Sequence, residues 1–140
     1  MDVERLEKPI TEVMTSPGRT VDPDLSVAAA ARVLWNERIG SLVVTDERGA
    51  PSGILTESDV VRGVGAGHDP QAMTVAELMT ASVVTVDATA TVRDASARMR
   101  EHEVEKLPVV EDDELVGVVT TTDLAHSLAP GLGDVIGRFG

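Results

Sequence analysis

A chain of 140 residues with 42% apolar content can build one compact domain, or two small units that share a core. Aromatic residues make up 1% (Trp35, Phe139 and no Tyr), which excludes the exposed ring platforms on which single-stranded nucleic acid stacks. With 24 acidic against 12 basic residues the formal charge is -12, which repels phosphate backbones, and the absence of Cys excludes disulfides, thiolate catalysis and thiolate metal sites.

The opening MDVERLEKPI is charged and lacks an apolar stretch, so it does not read as a secretory signal. A short helix is expected from about Ile10 to Met14, followed by an extended RTVD. A longer helix runs from about Ser26 to Arg38: Val27, Ala30, Ala31 and Leu34 recur at helical spacing, and Ser26 is a suitable N-cap. SLVVT reads as a strand, DERGAP as a turn and GIL as a second strand, with a helix beginning near Glu57. GAGHDPQA is a linker. The second half repeats the pattern, with Thr91 as cap, Val92, Ala95 and Met99 on the stripe, and strands KLPVV and ELVGVVT joined through EDD. Pro108 has no N–H to give a ladder, which predicts a sheet edge or a strand start. No apolar run approaches the ~18 residues of a membrane span, so a cytoplasmic location is expected.

The two halves are copies. Offset by 65, Glu12, Met14, Thr15, Thr20, Val21, Asp22, Val27 and Ala30 meet identical residues, and Leu42 and Val44 meet Leu107 and Val109. One residue is lost in the acidic turn, after which Gly53, Thr56 and Asp59 meet Gly117, Thr120 and Asp123. Agreement in order and spacing over such a length marks a duplicated unit. A copy alone is small for independent stability. The expected fold is therefore α+β: two pseudo-symmetric units of β-α-β-β-α order, each a small sheet packed with helices, paired through their sheets around a cleft. The units span 9–65 and 74–128, with a linker at 66–73 and a tail at 129–140.

In VMT and LMT, TVD twice, IGSLVV and VEKLPVV, and the doubled Gly-apolar-apolar-Thr-x-x-Asp, the chain resembles a tandem pair of CBS domains (a Bateman module), the regulatory unit named after cystathionine beta-synthase. The likeness covers roughly Pro9 to Leu128. It implies a module that is not itself an enzyme. It also implies an adenine nucleotide or S-adenosylmethionine held between the copies as a regulatory ligand, no required cofactor, and pairing into a homodimer.

In each Thr-x-x-Asp the hydroxyl ends a strand and the carboxylate sits in the first helical turn. An ionised carboxylate is a strong, directional acceptor for a ribose diol, and the helix N-terminus favours phosphate. The same residues also spell ordinary helix capping, with Ser58 and Thr122 as further candidate caps. Carried over from the family, the stronger site comprises Thr15, Gly18, Arg19, Thr20, Ile39, Lys106, Thr120, Thr122, Asp123 and His126. The second comprises Thr80, Val83, Val84, Val104, Ser41, Thr56, Ser58, Asp59 and Arg62. Ile39 and Val104 would flank the adenine. Lys106, one of two lysines, makes the Asp123 site the better one for a phosphate, and Glu105 counts against a highly charged ligand. Arg62 and His126, three past each Asp, face either a phosphate or solvent. Val43 stands where Pro108 stands in the second copy, which questions the strand geometry beside Asp59.

His68, His102 and His126 have no ligand spacing, and Glu111 to Glu114 falls on the hairpin turn, so no metal site is expected. GVGAG lacks the Lys-Ser/Thr of a phosphate loop. Trp35 broadens its helix face beside Ala28 and Ala31, toward either a dimer contact or monomer packing. GLGDVIGRFG could form a docking helix, weakened by its glycines. Ten of the twelve basic residues are Arg, and so acidic a surface suits a halophilic cytoplasm or an acidic mesophile. The reading is a stand-alone sensor of an adenosine-containing ligand (AMP, ADP, ATP or S-adenosylmethionine), acting on an unknown effector protein in trans, with no nucleic acid and no membrane. The alternative is a protein-interaction scaffold with vestigial, empty sites. An enzyme acting on nucleotides lacks a visible nucleophile-base pair.

Overall fold

The computed structural model describes residues 3–15 and 19–129. Gly18 and the GLGDVIGRFG tail lie outside the described residues. After α1 (Val3–Leu6) and a 3-10 turn (Ile10–Glu12), the first copy supplies β1 (Thr20–Val21), α2 (Val27–Glu37), β2 (Ser41–Thr45), β3 (Pro51–Thr56) and α3 (Glu57–Gly65). The second supplies α4 (Val75–Leu78), β4 (Val86–Asp87), α5 (Val92–His102), β5 (Lys106–Glu111), β6 (Glu114–Thr120) and α6 (Thr121–Leu128). The fold is thus mixed α and β, with two three-stranded sheets of order β1-β2-β3 and β4-β5-β6. In each sheet the first pairing is parallel and the second antiparallel, and a bulge falls at Val44/Thr45 and again at Val109/Val110.

The leading segment of each copy belongs to the other copy's core. Ile10, fully buried, packs with Val86, Val92, Leu107, Val109 and Val119, and Val13 and Met14 lie beside it. Val75, equally buried, packs with Val21, Ala30, Leu42, Val44 and Leu55, with Leu78 and Met79 alongside. Each anchor contributes roughly 1.5–3 kcal/mol by leaving water. The backbone follows suit. Ile10 N–H donates to Ala90 O at 3.0 Å and Val92 N–H to Lys8 O at 2.9 Å; their counterparts are Val75 N–H to Leu25 O and Val27 N–H to Met73 O, both at 2.8 Å. The stretch read as a linker therefore accepts two of the orphan donors at the start of α2, Val27 at Met73 and Ala28 at Pro70.

This exchange explains the repeated glycine. A Cβ on Gly117 would stand 2.5 Å from Met14 Sδ and 2.9 Å from the Thr15 carbonyl oxygen, and a Cβ on Gly53 would collide with Met79. Beyond each methionine the leader pairs with the sheet edge: Thr15 and Val118 exchange bonds of 2.9 and 3.0 Å, and Ile54 and Thr80 two of 3.0 Å.

Pro108 is not at an edge. It lies buried within β5, the central strand. Val118, opposite it, spends both backbone groups on Thr15, so that side asks no N–H of Pro108. On the other side β4 begins opposite Val109, whereas β1 already pairs at Thr20 with Val43. The Thr85 carbonyl, which has no N–H to take at position 108, accepts from Arg98 Nε instead. Val43 therefore lengthens a pairing and does not disturb the strand beside Asp59.

The hairpin EDD turns through Asp112 and Asp113 at φ 51 and 67°, the mirror-image turn that suits strand twist and that Asp tolerates, and Glu111 to Glu114 are exposed. Before α5, Thr89 donates to Asp87 from its N–H and its hydroxyl, holding that carboxyl below the usual carboxylate range. A depressed acid stabilises the fold above its unfolded pKa and loses that contribution as pH falls through the folded value.

Gly117→Ala is expected to cost about 2–3 kcal/mol in chemical denaturation, because the Thr15 backbone cannot retreat. Gly53→Ala is expected to cost less, about 1 kcal/mol, because only the flexible Met79 must move. Adding Met79→Ala should recover part of the loss at Gly53, and no recovery would refute the packing account.

Candidate functional site

Each Thr-x-x-Asp closes on itself. Thr56, with extended backbone, caps α3: its Oγ1 accepts from Asp59 N–H at 3.1 Å, and Asp59 Oδ2 accepts from Thr56 N–H at 2.9 Å. Thr120 and Asp123 repeat the arrangement on α6 at 3.1 and 3.0 Å. The caps are therefore Thr56 and Thr120. Ser58 and Thr122 already stand inside their helices and cap nothing.

The matched aspartates differ in what remains free. Asp59 is 5% exposed, and its Oδ1 takes Arg62 Nη2 at 2.6 Å. Arg62 thus turns along its own helix and serves the carboxylate. Asp123 is half-buried, the matching His126 is exposed, and among the described residues Asp123 Oδ1 has no protein partner.

Two clefts lie between the halves. The larger, about 670 Å³, is walled by Thr56, Ser58 and Asp59 of the first copy and by Thr80, Val83, Val84 and Val104 of the second. It brings together seven residues of the second predicted set. Ser41 and Arg62 are not on that wall. The smaller cleft, about 390 Å³, gathers Thr15, Arg19, Ile39, Lys106 and Thr120 of the stronger set, and also Ser41. Thr20, Thr122, Asp123 and His126 are not on its wall. Thr20 is committed to β1, Thr122 and His126 are exposed on α6, and the capping box turns Asp123 back onto its own backbone.

Matched helix ends deliver Ile39 and Val104. Arg38 and Glu103 take left-handed conformations at φ 55 and 54°, and the next residues donate back to Leu34 O at 3.1 Å and Met99 O at 3.0 Å. This six-to-one closure aims the following side chain off the helix end. It places Ile39 on the smaller wall and Val104 on the larger.

Lys106 touches both clefts. Its Nζ donates to Ser41 Oγ at 2.7 Å, which joins the start of β5 to the start of β2. Arg19 and Glu37, an exposed pair at 2.8 Å, line the smaller cleft and add little stability. Ile54 was missed, although it lines both clefts. Strand alternation could have found it, since Leu55 faces the core and Ile54 must face away. Gly40, Glu57, Ser82 and Glu103 also lie on the larger wall, with no local signal to mark them. Among the described residues no group of three His, Asp or Glu could hold a metal ion, and no helix is long and apolar enough to cross a membrane.

Thr56→Ala and Thr120→Ala should each lower stability by about 1 kcal/mol through loss of a cap, and Thr122→Ala should change it little. Equal losses at Thr120 and Thr122 in denaturant titrations would contradict the capping assignment.

The CBS domain profile matches residues 10–66 and 75–130. Hypoxic response protein 1 of Mycobacterium tuberculosis is 34% identical over 118 residues, which is 84% of this chain and 82% of that protein. The crystal structure of Hypoxic Response Protein I with two coordinated zinc ions superposes with a TM-score of 0.78 at 32% identity, covering 87% of this chain and 100% of that one. The CBS domain pair of protein MJ0100, in complex with 5′-methylthioadenosine and S-adenosyl-L-methionine, superposes at 0.77 with 26% identity, covering 87% and 100%.

Proposed function

The chain belongs to the CBS domain family, and on that premise we propose that it is a regulatory module, not an enzyme. It takes an adenosine-containing ligand between its two copies and signals to a partner protein in trans. One observation carries this reading. Thr56 and Asp59, at the N-terminus of α3, face the same cleft as Thr80, Val83, Val84 and Val104 from the other copy. A hydroxyl, a carboxylate and a helix N-terminus then meet apolar side chains and strand backbone, the mixture a nucleoside needs. The MJ0100 pair, which holds two adenosine compounds, supports the class of ligand. A ligand that spans both copies favours one relative placement of the halves, and a partner reads that shift.

The same chain pairs with a second copy through α2 and α3. These helices pack on each other and expose Trp35 at 83%, Val61 at 71% and Val64 at 52%. Trp35 is thereby removed from packing within the monomer. The acidic, lysine-poor surface fits a halophilic cytoplasm.

A scaffold with empty sites is the second reading. It is favoured by Asp59, whose two oxygens are both engaged within the protein. Calorimetry at high KCl with AMP, ADP, ATP and S-adenosylmethionine separates the two. A saturable signal from at least one ligand is expected, and Asp59→Ala, which removes a carboxylate from the larger wall, should weaken binding there about tenfold, the size of one charge-assisted bond. Silence from all four on folded protein would favour the scaffold.

A further inference from the structure

We propose that the two clefts sort their ligands by charge. The smaller takes a phosphate-bearing adenosine compound, and the larger takes one without phosphate, either uncharged or cationic. This rests on the adenosine reading above and names the ligand class of each cleft.

The larger wall carries Glu57, Asp59, Glu103 and Glu105 against one cation, Lys106. Arg62 offsets Asp59 at 2.6 Å. Among the described residues, Glu57, Glu103 and Glu105 have no basic partner. The one cation is also drawn to the other side. Lys106 Nζ donates to Ser41 Oγ at 2.7 Å, and Ser41 lines only the smaller cleft.

The smaller wall has the opposite balance: Arg19 and Lys106 against Glu37, which Arg19 already holds at 2.8 Å. A phosphate entering it meets an ammonium that, among the described residues, is bonded only to a neutral hydroxyl. In the larger cleft the same phosphate meets a wall that carries Glu57, Asp59, Glu103 and Glu105, and like charges reject it. A sulfonium or amino group meets attraction there. Both clefts open to solvent, so the sorting weakens as salt rises.

The test is calorimetry on the full chain at low and high KCl, with AMP, uncharged 5′-methylthioadenosine and cationic S-adenosylmethionine. AMP should saturate at one per chain, and AMP-saturated protein should still bind one 5′-methylthioadenosine. Lys106→Met should weaken AMP about tenfold and 5′-methylthioadenosine far less, because only a phosphate needs the ammonium. Ser41→Ala, a milder change, should weaken AMP in the same sense. Glu103→Gln with Glu105→Gln should raise AMP to two per chain, with folding checked by circular dichroism. AMP at two per wild-type chain, or equal weakening of both ligands by Lys106→Met, overturns the sorting alone. Silence toward all three overturns the adenosine reading, and the sorting with it.

Discussion

Everything in this fold depends on two methionines lying on two glycines across the boundary between the copies. Met14 occupies the space a side chain at Gly117 would need, and Met79 does the same at Gly53. Because the leaders are exchanged, neither copy closes its core alone: Ile10 and Val75, both fully buried, are each supplied by the other copy. The sheet edges at Ile54 and Val118, which would otherwise be open to strand addition, are covered by the same leaders. The clefts follow as a consequence. The chain after Thr80 must run along the neighbouring unit, which sets Val83 and Val84 opposite Thr56 and Asp59.

The Thr-x-x-Asp turns have two uses that compete. As capping boxes they satisfy helix donors, and Asp59 is almost wholly consumed by that task and by Arg62. Among the described residues Asp123 keeps an oxygen without a partner, because His126 is exposed and does not reach back. Two sites written with the same residues therefore differ in how much hydrogen-bonding capacity they retain. A group that stabilises its own helix is poised but not idle, and a ligand must offer more than water would.

Departures from the repeat matter as much as the repeat. Glu105 and Lys106 stand where the first copy has Gly40 and Ser41. The lysine then meets the serine at the junction of the halves. A perfectly symmetric protein would place two ammonium groups or two hydroxyls there. The asymmetric pair gives one directional bond and leaves the carboxylates of the larger wall mostly uncompensated. Pro108 and Arg98 make a second such pair, the guanidinium replacing a donor the ring has removed.

The sequence by itself determined the duplication, the α2 and α5 stripes with their Ser26 and Thr91 caps, the strands SLVVT and KLPVV, and the family resemblance. Each is a periodic or local signal, carried by spacing along one element. Half of the larger wall, seven of its fourteen residues, was named from the sequence too, because the second set was carried residue by residue across a repeat that the structure keeps in register. Only the tertiary structure decided that the leaders cross over, that Pro108 sits in a central strand, that Ser41 belongs to the smaller cleft, and that Arg62 binds Asp59. These depend on which segment covers which edge. That is a choice between contacts distant along the chain, and local spacing holds no record of it.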